Sequence, residues 1–340
     1  MSNVDDRIDE SQERVPHAYD ALTPDAILTA VEGCGLLCDG RLLALNSYEN
    51  RVYRVGIEDA EPVIAKFYRP GRWTDAAIEE EHEFALELAA HEIPVVAPIA
   101  DDDGRTVHTD GTFKFALFPL RPGRWPELES YADRLSLGRF MGRIHSIGAL
   151  RPFFERFTLD AQSHGYGPFA ALLQSRCVPA ELKHNLEMAG MALLCAADER
   201  LQAHAQTRRI RVHGDFHLGN VLWSELGPSI VDLDDCCMSW PVQDLWMLLD
   251  GERDAMQGQL IDVLEGYLEF SDFDYSTVGL IEALRALRMV RFNGWVAERW
   301  GDPAFPIAFP WFDTPQHWER QIVAFREQLE RLDDPPLDVM

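Results

Sequence analysis

Two short stretches carry oxygen-bearing side chains at spacings that could do chemistry: Val212-His213-Gly214-Asp215-Phe216-His217-Leu218-Gly219-Asn220 and Ser229-Ile230-Val231-Asp232-Leu233-Asp234-Asp235. A carboxylate beside an attacking hydroxyl, then an amide oxygen and a second carboxylate, suit magnesium-dependent phosphoryl transfer. That reaction asks the protein for positioning and charge neutralisation more than for covalent work. Asp215 is the candidate proton acceptor. Asn220 and Asp232 are the candidate ligands of Mg²⁺, a hard cation that takes oxygen donors, and Asp232 counts as catalytic for the same reason. Asn220 lies in the same loop as Asp215, and a turn at Gly227-Pro228 lets a hairpin bring Asp232 back beside it. A His-Gly-Asp triplet alone occurs by chance, so the joint pattern carries the reading. His213 and His217 are expected to orient the loop backbone. Asp234 and Asp235 either add charge behind the metal or are solvated turn residues.

Such a centre needs a second wall to hold a nucleotide. Thr23-Pro24-Asp25 opens a short helix that Gly33 and Gly35 stop. Three short apolar runs follow, Leu42 to Leu45, Val52 to Ile57 and Val63 to Phe67, and read as strands. Thr74-Asp75 caps a helix reaching about His91, with Ala77, Phe84, Ala85 and Leu88 on its buried face. Strands at 106–108 and 112–118 meet across Asp110-Gly111, a favoured hairpin turn. Lys66 sits in an otherwise apolar strand, where a lysine facing a cleft requires a charge partner; nucleotide phosphates supply one, and Glu81 on the next helix is the candidate to hold it in place. Asn46-Ser47-Tyr48-Glu49-Asn50 occupies the turn that would cover the phosphates, where Ser47 and backbone N–H groups could bind them.

Beyond Pro119-Leu120-Arg121-Pro122-Gly123 the period is helical, with helices expected near 128–147, 167–175, 180–206, 241–250, 254–270, 276–299 and 315–332. The expectation is therefore an α+β, bilobal, protein-kinase-like fold. It has a disordered acidic tail at 1–18, a small β-rich N-lobe at 19–119, and a larger, mainly helical C-lobe at 120–340 that contains the catalytic loop, metal site and acceptor site.

The chain has 340 residues, and 57 acidic against 31 basic side chains give a net charge of −26. That field disfavours a nucleic acid or an anionic membrane as partner, since both bind through Lys and Arg, whereas a basic acceptor would be drawn in. No apolar run is long enough to cross a bilayer, and the polar, acidic start from Met1 to Arg14 predicts an unexported protein. Six scattered cysteines fit reduced thiols; Cys34 and Cys38 lack the partners of a zinc site, and Cys236-Cys237 reads as small core residues.

The His213-Gly214-Asp215 to Asn220 pattern, with its acidic strand end, resembles the aminoglycoside-phosphotransferase and choline-kinase-like superfamily over nearly the whole chain after the tail. More closely, Leu45 to Tyr53, Ala65 to Pro70, Val231 to Asp235, Val242 to Leu249 and Asp302 to Pro306 resemble the bacterial stress response kinase family. The resemblance implies a cytoplasmic Ser/Thr protein kinase that uses ATP as co-substrate and Mg²⁺, acts on protein substrates including itself, and serves in stress responses; a monomer is expected. Carried over, Asp215 is the proton acceptor, Asn220 and Asp232 bind Mg²⁺, Lys66 binds ATP phosphate, and Ser47 belongs to the ATP-covering turn. Asp244 tethers the catalytic-loop backbone, and the hinge at Phe118 to Leu120 contacts adenine. Gly214 stands where many regulated protein kinases carry Arg, and no activation segment follows Asp232, so activity should not need activation-loop phosphorylation. Two alternatives remain: a kinase of an amino alcohol, sugar or antibiotic, whose acceptor site the aromatics Trp295, Trp300, Phe305, Phe309, Trp311 and Phe312 could line if they do not fill the core, and a non-catalytic nucleotide-binding regulator.

Overall fold

The computed structural model describes residues 18–225 and 227–339; the tail expected at 1–18 lies outside them except for Ala18. Thr23 caps α1 (Pro24–Glu32) by accepting the Ala26 N–H at 3.2 Å. Five antiparallel strands follow: β1 (Cys38–Ala44), β2 (Arg51–Ile57), β3 (Val63–Phe67), β4 (His108–Thr109) and β5 (Lys114–Pro119), in spatial order β1-β2-β3-β5-β4. Their apolar face closes on α1 through Ile27, Val31, Val55, Phe67 and Phe115. α2 (Asp75–Ala90) crosses between β3 and β4, capped by Thr74, which accepts the Ala77 N–H at 3.1 Å. The hairpin turn forms at Asp110-Gly111: Gly111 takes a φ of 93°, and Asp110 Oδ1 accepts the Thr112 and Phe113 N–H groups.

The rest of the chain is mainly helical: α3 (Tyr131–Gly148), α4 (Gly167–Gln174), α5 (Ala180–Ala203), α6 (Val242–Trp246), α7 (Arg253–Tyr267), α8 (Ile281–Glu298), α9 (Ala304–Ala308) and α10 (Pro315–Arg331). Four short strands interrupt it. β6 (Ile210–Val212) pairs with β9 (Cys237–Ser239), and β7 (Val221–Ser224) with β8 (Gly227–Ile230). α3 and α7 approach closely because neither presents a side chain at the crossing: a Cβ on Gly138 would lie 2.0 Å from the Val263 carbonyl, and one on Gly266 2.1 Å from the Leu135 carbonyl.

Three helices depart from expectation. α6 stops at Trp246 rather than near 250, because Asp250 is tied at 3.0 Å to Gln259 through backbone and side chain and Gly251 turns with φ 82°. The helix expected from 276 opens as a 3-10 turn over Tyr275–Leu280, capped by Asp274, before α8 begins. α9 was not legible, being one turn placed between Pro303 and Phe309.

The cleft is set by two segments that cross from sheet to helices. Past α2, Val96 donates to the Ile230 carbonyl at 2.8 Å and Ile230 donates to the Pro94 carbonyl at 2.7 Å. Past β5, Arg124 and Trp223 exchange backbone hydrogen bonds at 3.0 and 2.7 Å. The β7–β8 hairpin is thus fastened to both connections.

Candidate active site

The loop carrying Asp215 leaves β6 and is held from behind by Asp244, the third residue of α6. Fully buried, Asp244 accepts the His213 N–H through Oδ2 and the Gly214 N–H through Oδ1, both at 2.8 Å. His145 Nε2 stands 3.0 Å from the same Oδ2, and Tyr267 O–H 3.1 Å from His145 Nδ1, so α3 and α7 lock the carboxylate in place. Gly214 adopts φ 84°, and a Cβ there would lie 2.2 Å from the Asp235 carbonyl; only glycine lets the two motif stretches pass this closely. His213 bridges them as well, its Nε2 lying 3.0 Å from the Val231 carbonyl oxygen. His217 Nδ1 accepts the Gly219 N–H at 3.0 Å, while its Nε2 faces Asp215 Oδ2 at 3.6 Å.

Asn220 donates its side-chain N–H to the Asp215 carbonyl at 2.9 Å, and its own carbonyl accepts the Val231 N–H at 3.0 Å. The hairpin therefore places Asp232 next to it as expected. Asp232 has φ 61° and ψ 64°, an uncommon conformation for a residue with a side chain, and half of its side chain is exposed to the cleft. Among the described residues no group of three or more His, Cys, Asp or Glu could hold a metal alone. Mg²⁺ fits this sparse set, since it retains waters and takes substrate phosphates as further ligands. The buried Asp234 Oδ1, whose near neighbour is Lys66 Nζ at 3.2 Å, adds to the oxygen-rich character of the site.

Lys66 reaches across from β3. Its Nζ lies 3.0 Å from Asp232 Oδ1, 3.2 Å from Asp234 Oδ1 and 3.7 Å from Glu81 Oε1. Burial would push its ammonium down, but the three carboxylates outweigh burial and hold it well above the ordinary range. Burial, with repulsion from Asp234 and Asp232, pushes Glu81 up to about 7 despite Lys66 and Arg156. Asp234 moves the other way, to about 2, where Arg72 and Lys66 outweigh burial. Neither Asp234 nor Asp235 is a free turn residue: Arg72 holds Asp234 and lies 2.8 Å from Asp235 Oδ1, and Arg291 reaches the same oxygen at 2.6 Å. Arg156, 4 % exposed, donates to the Asp234 and Cys236 carbonyls and stacks on Trp73. Cys236 and Cys237 are buried, and burial pushes both thiols up, so they pack as expected.

Ser47 and its neighbours line a cavity of about 850 Å³ that also takes in Lys66, Phe118, Leu120, Asp215, Asn220 and Asp232. The turn is clasped to α8 and α9. Glu49 accepts from Trp295 Nε1 and from Arg299 at 3.0 Å; Arg51 and Arg69 each lie 2.9 Å from Asp302 Oδ2; Tyr48 packs on Phe305 and Phe309. Of the C-terminal aromatics, Trp295 lines the cavity, while Phe305 and Phe312 are fully buried. The structure thus gathers every expected site residue around one cleft. It adds Arg72, Arg288 and Arg291, with Arg156 buried behind Asp234, none of which any motif announced.

The model of the phosphotransferase enzyme family matches residues 41–281. The serine/threonine protein kinase RdoA of Salmonella typhimurium strain LT2 is 40% identical over 321 residues, covering 94% of this chain and 97% of that protein. Stress response kinase A of Escherichia coli strain K12 is 41% identical over 326 residues, with the same coverage. Among solved structures, amicoumacin kinase hAmiN in complex with AMP-PNP, Ca²⁺ and Ami superposes with a TM-score of 0.69 at 20% identity, over 91% of this chain and 94% of that one; at that identity the likeness shows the fold. With the cleft geometry, these matches place the chain in the phosphotransferase enzyme family, beside stress response kinase A, as an ATP-dependent phosphotransferase.

Proposed function

We propose that this protein is an ATP- and Mg²⁺-dependent Ser/Thr protein kinase. In this reading it acts in the cytoplasm as a monomer, phosphorylates protein substrates and itself, and serves a bacterial stress response. The observation that carries the reading is the 3.0 Å approach of Lys66 Nζ to Asp232 Oδ1 across the cleft, 166 residues apart in sequence. A cation and a carboxylate from opposite walls then meet where nucleotide phosphates and a metal would lie. The relative named a serine/threonine protein kinase, matched over nearly its full length, supports a protein acceptor.

Asn220 and Asp232 would hold Mg²⁺, which supplies charge neutralisation on the phosphates. Lys66 binds the phosphates, steadied by Glu81 within the N-lobe of 19–119, and the Ser47 turn covers them. Asp215, fixed through Asp244 in the C-lobe of 120–340, orients the acceptor hydroxyl and takes its proton. The contact between Gly214 and the Asp235 carbonyl leaves no room for an arginine, and β9 begins at Cys237, shortly after Asp232. Both features support activity without activation-loop phosphorylation.

The test incubates the purified chain with labelled ATP and Mg²⁺, a set of generic proteins and a panel of small alcohols, beside Asp215→Asn. Label is expected on protein, with a loss of about 10²–10⁴-fold in the variant. Label confined to a small alcohol would replace the protein acceptor with the chemistry named for hAmiN; nucleotide binding with no transfer would make the protein a regulator. Phosphatase treatment beforehand should leave the rate unchanged.

A further inference from the structure

Asp215 is engaged in this structure: a guanidinium nitrogen of Arg288 lies against its Oδ1. Arg288 sits on α8 one turn before Arg291, so both project from the same helix face, and both line the cleft. The two are committed differently. Arg291 holds Asp235 at 2.6 Å and also contacts His164. Among the described residues, Arg288 has Asp215 as its hydrogen-bond partner, and its side chain is 43% exposed.

One oxygen of the carboxylate that should face an acceptor hydroxyl is therefore covered by a cation, while Oδ2 lies 3.6 Å from His217 Nε2, and a hydroxyl that approaches Oδ1 has to displace the guanidinium. An arriving anion draws it away most directly, since a guanidinium exchanges one carboxylate for another with its planar fork intact. We infer that Arg288 selects the acceptor, and that the acceptor is a Ser or Thr in an acidic protein segment, with an Asp or Glu side chain close to the hydroxyl. This inference rests on the protein-kinase reading above. As the segment docks, its carboxylate takes Arg288 off Asp215. The acceptor oxygen then bonds to the γ-phosphorus while the bond from that phosphorus to the β–γ bridging oxygen breaks. The hydroxyl proton passes to Asp215, and ADP leaves. A cationic acceptor offers Arg288 no such exchange and meets two guanidinium groups.

The whole-molecule field argues the other way, because a net charge of −26 favours basic partners. That field acts during approach and is screened over about 8–10 Å by physiological salt. The contact with Arg288 acts at docking, at close range, where a charge-assisted hydrogen bond changes affinity by about tenfold or more.

Three peptides with one Ser and flanks of Glu, Ala or Lys separate these effects, assayed with the full chain, ATP and Mg²⁺ beside a panel of small alcohols. The wild type should favour the Glu-flanked peptide over the Lys-flanked one by about tenfold or more in kcat/KM, mainly through KM. Arg288→Glu should invert that order with the KM for ATP unchanged, and Arg288→Ala should flatten it. A wild-type preference for Lys flanks overturns the inference, as does an unchanged order in Arg288→Glu. A rise in the KM for ATP without a change in peptide order assigns Arg288 to the γ-phosphate and also overturns it. Label on a small alcohol and on none of the peptides overturns the protein-kinase reading too, which distinguishes the two failures.

Discussion

The loop around Asp215 and the cluster around Lys66 both fix acidic side chains in a buried cleft, by different means. The loop is held through the main chain: one sequestered carboxylate, Asp244, receives two backbone N–H groups, and Asn220 and His213 tie further carbonyls. The cluster is held by charge, with Lys66, Arg72 and Arg291 shared among Asp232, Asp234, Asp235 and Glu81. Hydrogen bonds to backbone fix a shape that binding need not disturb. Ion pairs can be exchanged, and under the proposed function phosphates with a metal would redistribute those at Lys66 and Asp232. On that reading the backbone of the Asp215 loop is preorganised, with the Arg288 contact as an exchangeable pair, while the Lys66 cluster is neutralised internally until ligands replace the partners.

Removing the keystone of the first region should have the largest effect. Asp244→Ala leaves two backbone N–H groups and His145 without their acceptor, and should lower the free energy of unfolding by about 3–5 kcal/mol, measured by denaturant titration. A loss under about 1 kcal/mol would erase the contrast with the charged region.

Lys66→Met should behave in the opposite manner. The fold, followed by circular dichroism, should persist, because Arg72 and Arg156 remain beside Asp234 and Glu81. Meanwhile kcat should fall about 10²–10³-fold, the scale for loss of one electrostatic stabiliser. Unfolding of this variant would mean the cluster is as structural as the loop.

The smallest effect concerns a neutral island at the edge of the charged region. His82 Nε2 lies 2.7 Å from the Tyr68 hydroxyl, and Nδ1 2.7 Å from that of Thr106. Burial, with the Lys66 charge, depresses the imidazole from 6.5 to about 3. A folded-state value below the unfolded one contributes stability that is present above pH 6.5 and lost as pH falls toward 3. At pH 5 the loss should be on the order of 2 kcal/mol. His82→Gln should flatten the profile between pH 6.5 and 4; an unaltered slope would place the acid sensitivity among the carboxylates instead.

The contrast also explains what could be read from the chain beforehand. Asp215, Asn220 and Asp232 lie within one short window, and turn chemistry between them is local, so their convergence was legible. Lys66 stood out as a charge in an apolar strand. Glu81 could have been singled out from Glu79, Glu80 and Glu83 by helix period, since it lies one turn from both Ala77 and Ala85 on the buried face. Glu80 turns elsewhere, accepting the backbone N–H groups of Phe154, Glu155 and Arg156. The arginines were not legible, because an arginine usually lies on the surface and their carboxylate partners are remote in sequence: 162 residues separate Arg72 from Asp234, and 73 separate Arg288 from Asp215. The element order β-β-β-α-β-β followed from hydrophobic period and turns, whereas α9 and the break before α8 depended on tertiary contacts.

The clasp on the Ser47 turn has a bearing on synthesis. Arg51 and its partner Asp302 are 251 residues apart, and Trp295 and Arg299 follow Glu49 by similar intervals. At roughly 5–20 residues per second, a ribosome needs over ten seconds to supply those partners after the turn has been made. The sheet can form from its own strands during that time, while the turn above it still lacks the residues that shape it. The clasped Ser47 turn is therefore completed only when the chain is nearly finished, and a truncated product ending before α8 would lack both the clasp and Arg288.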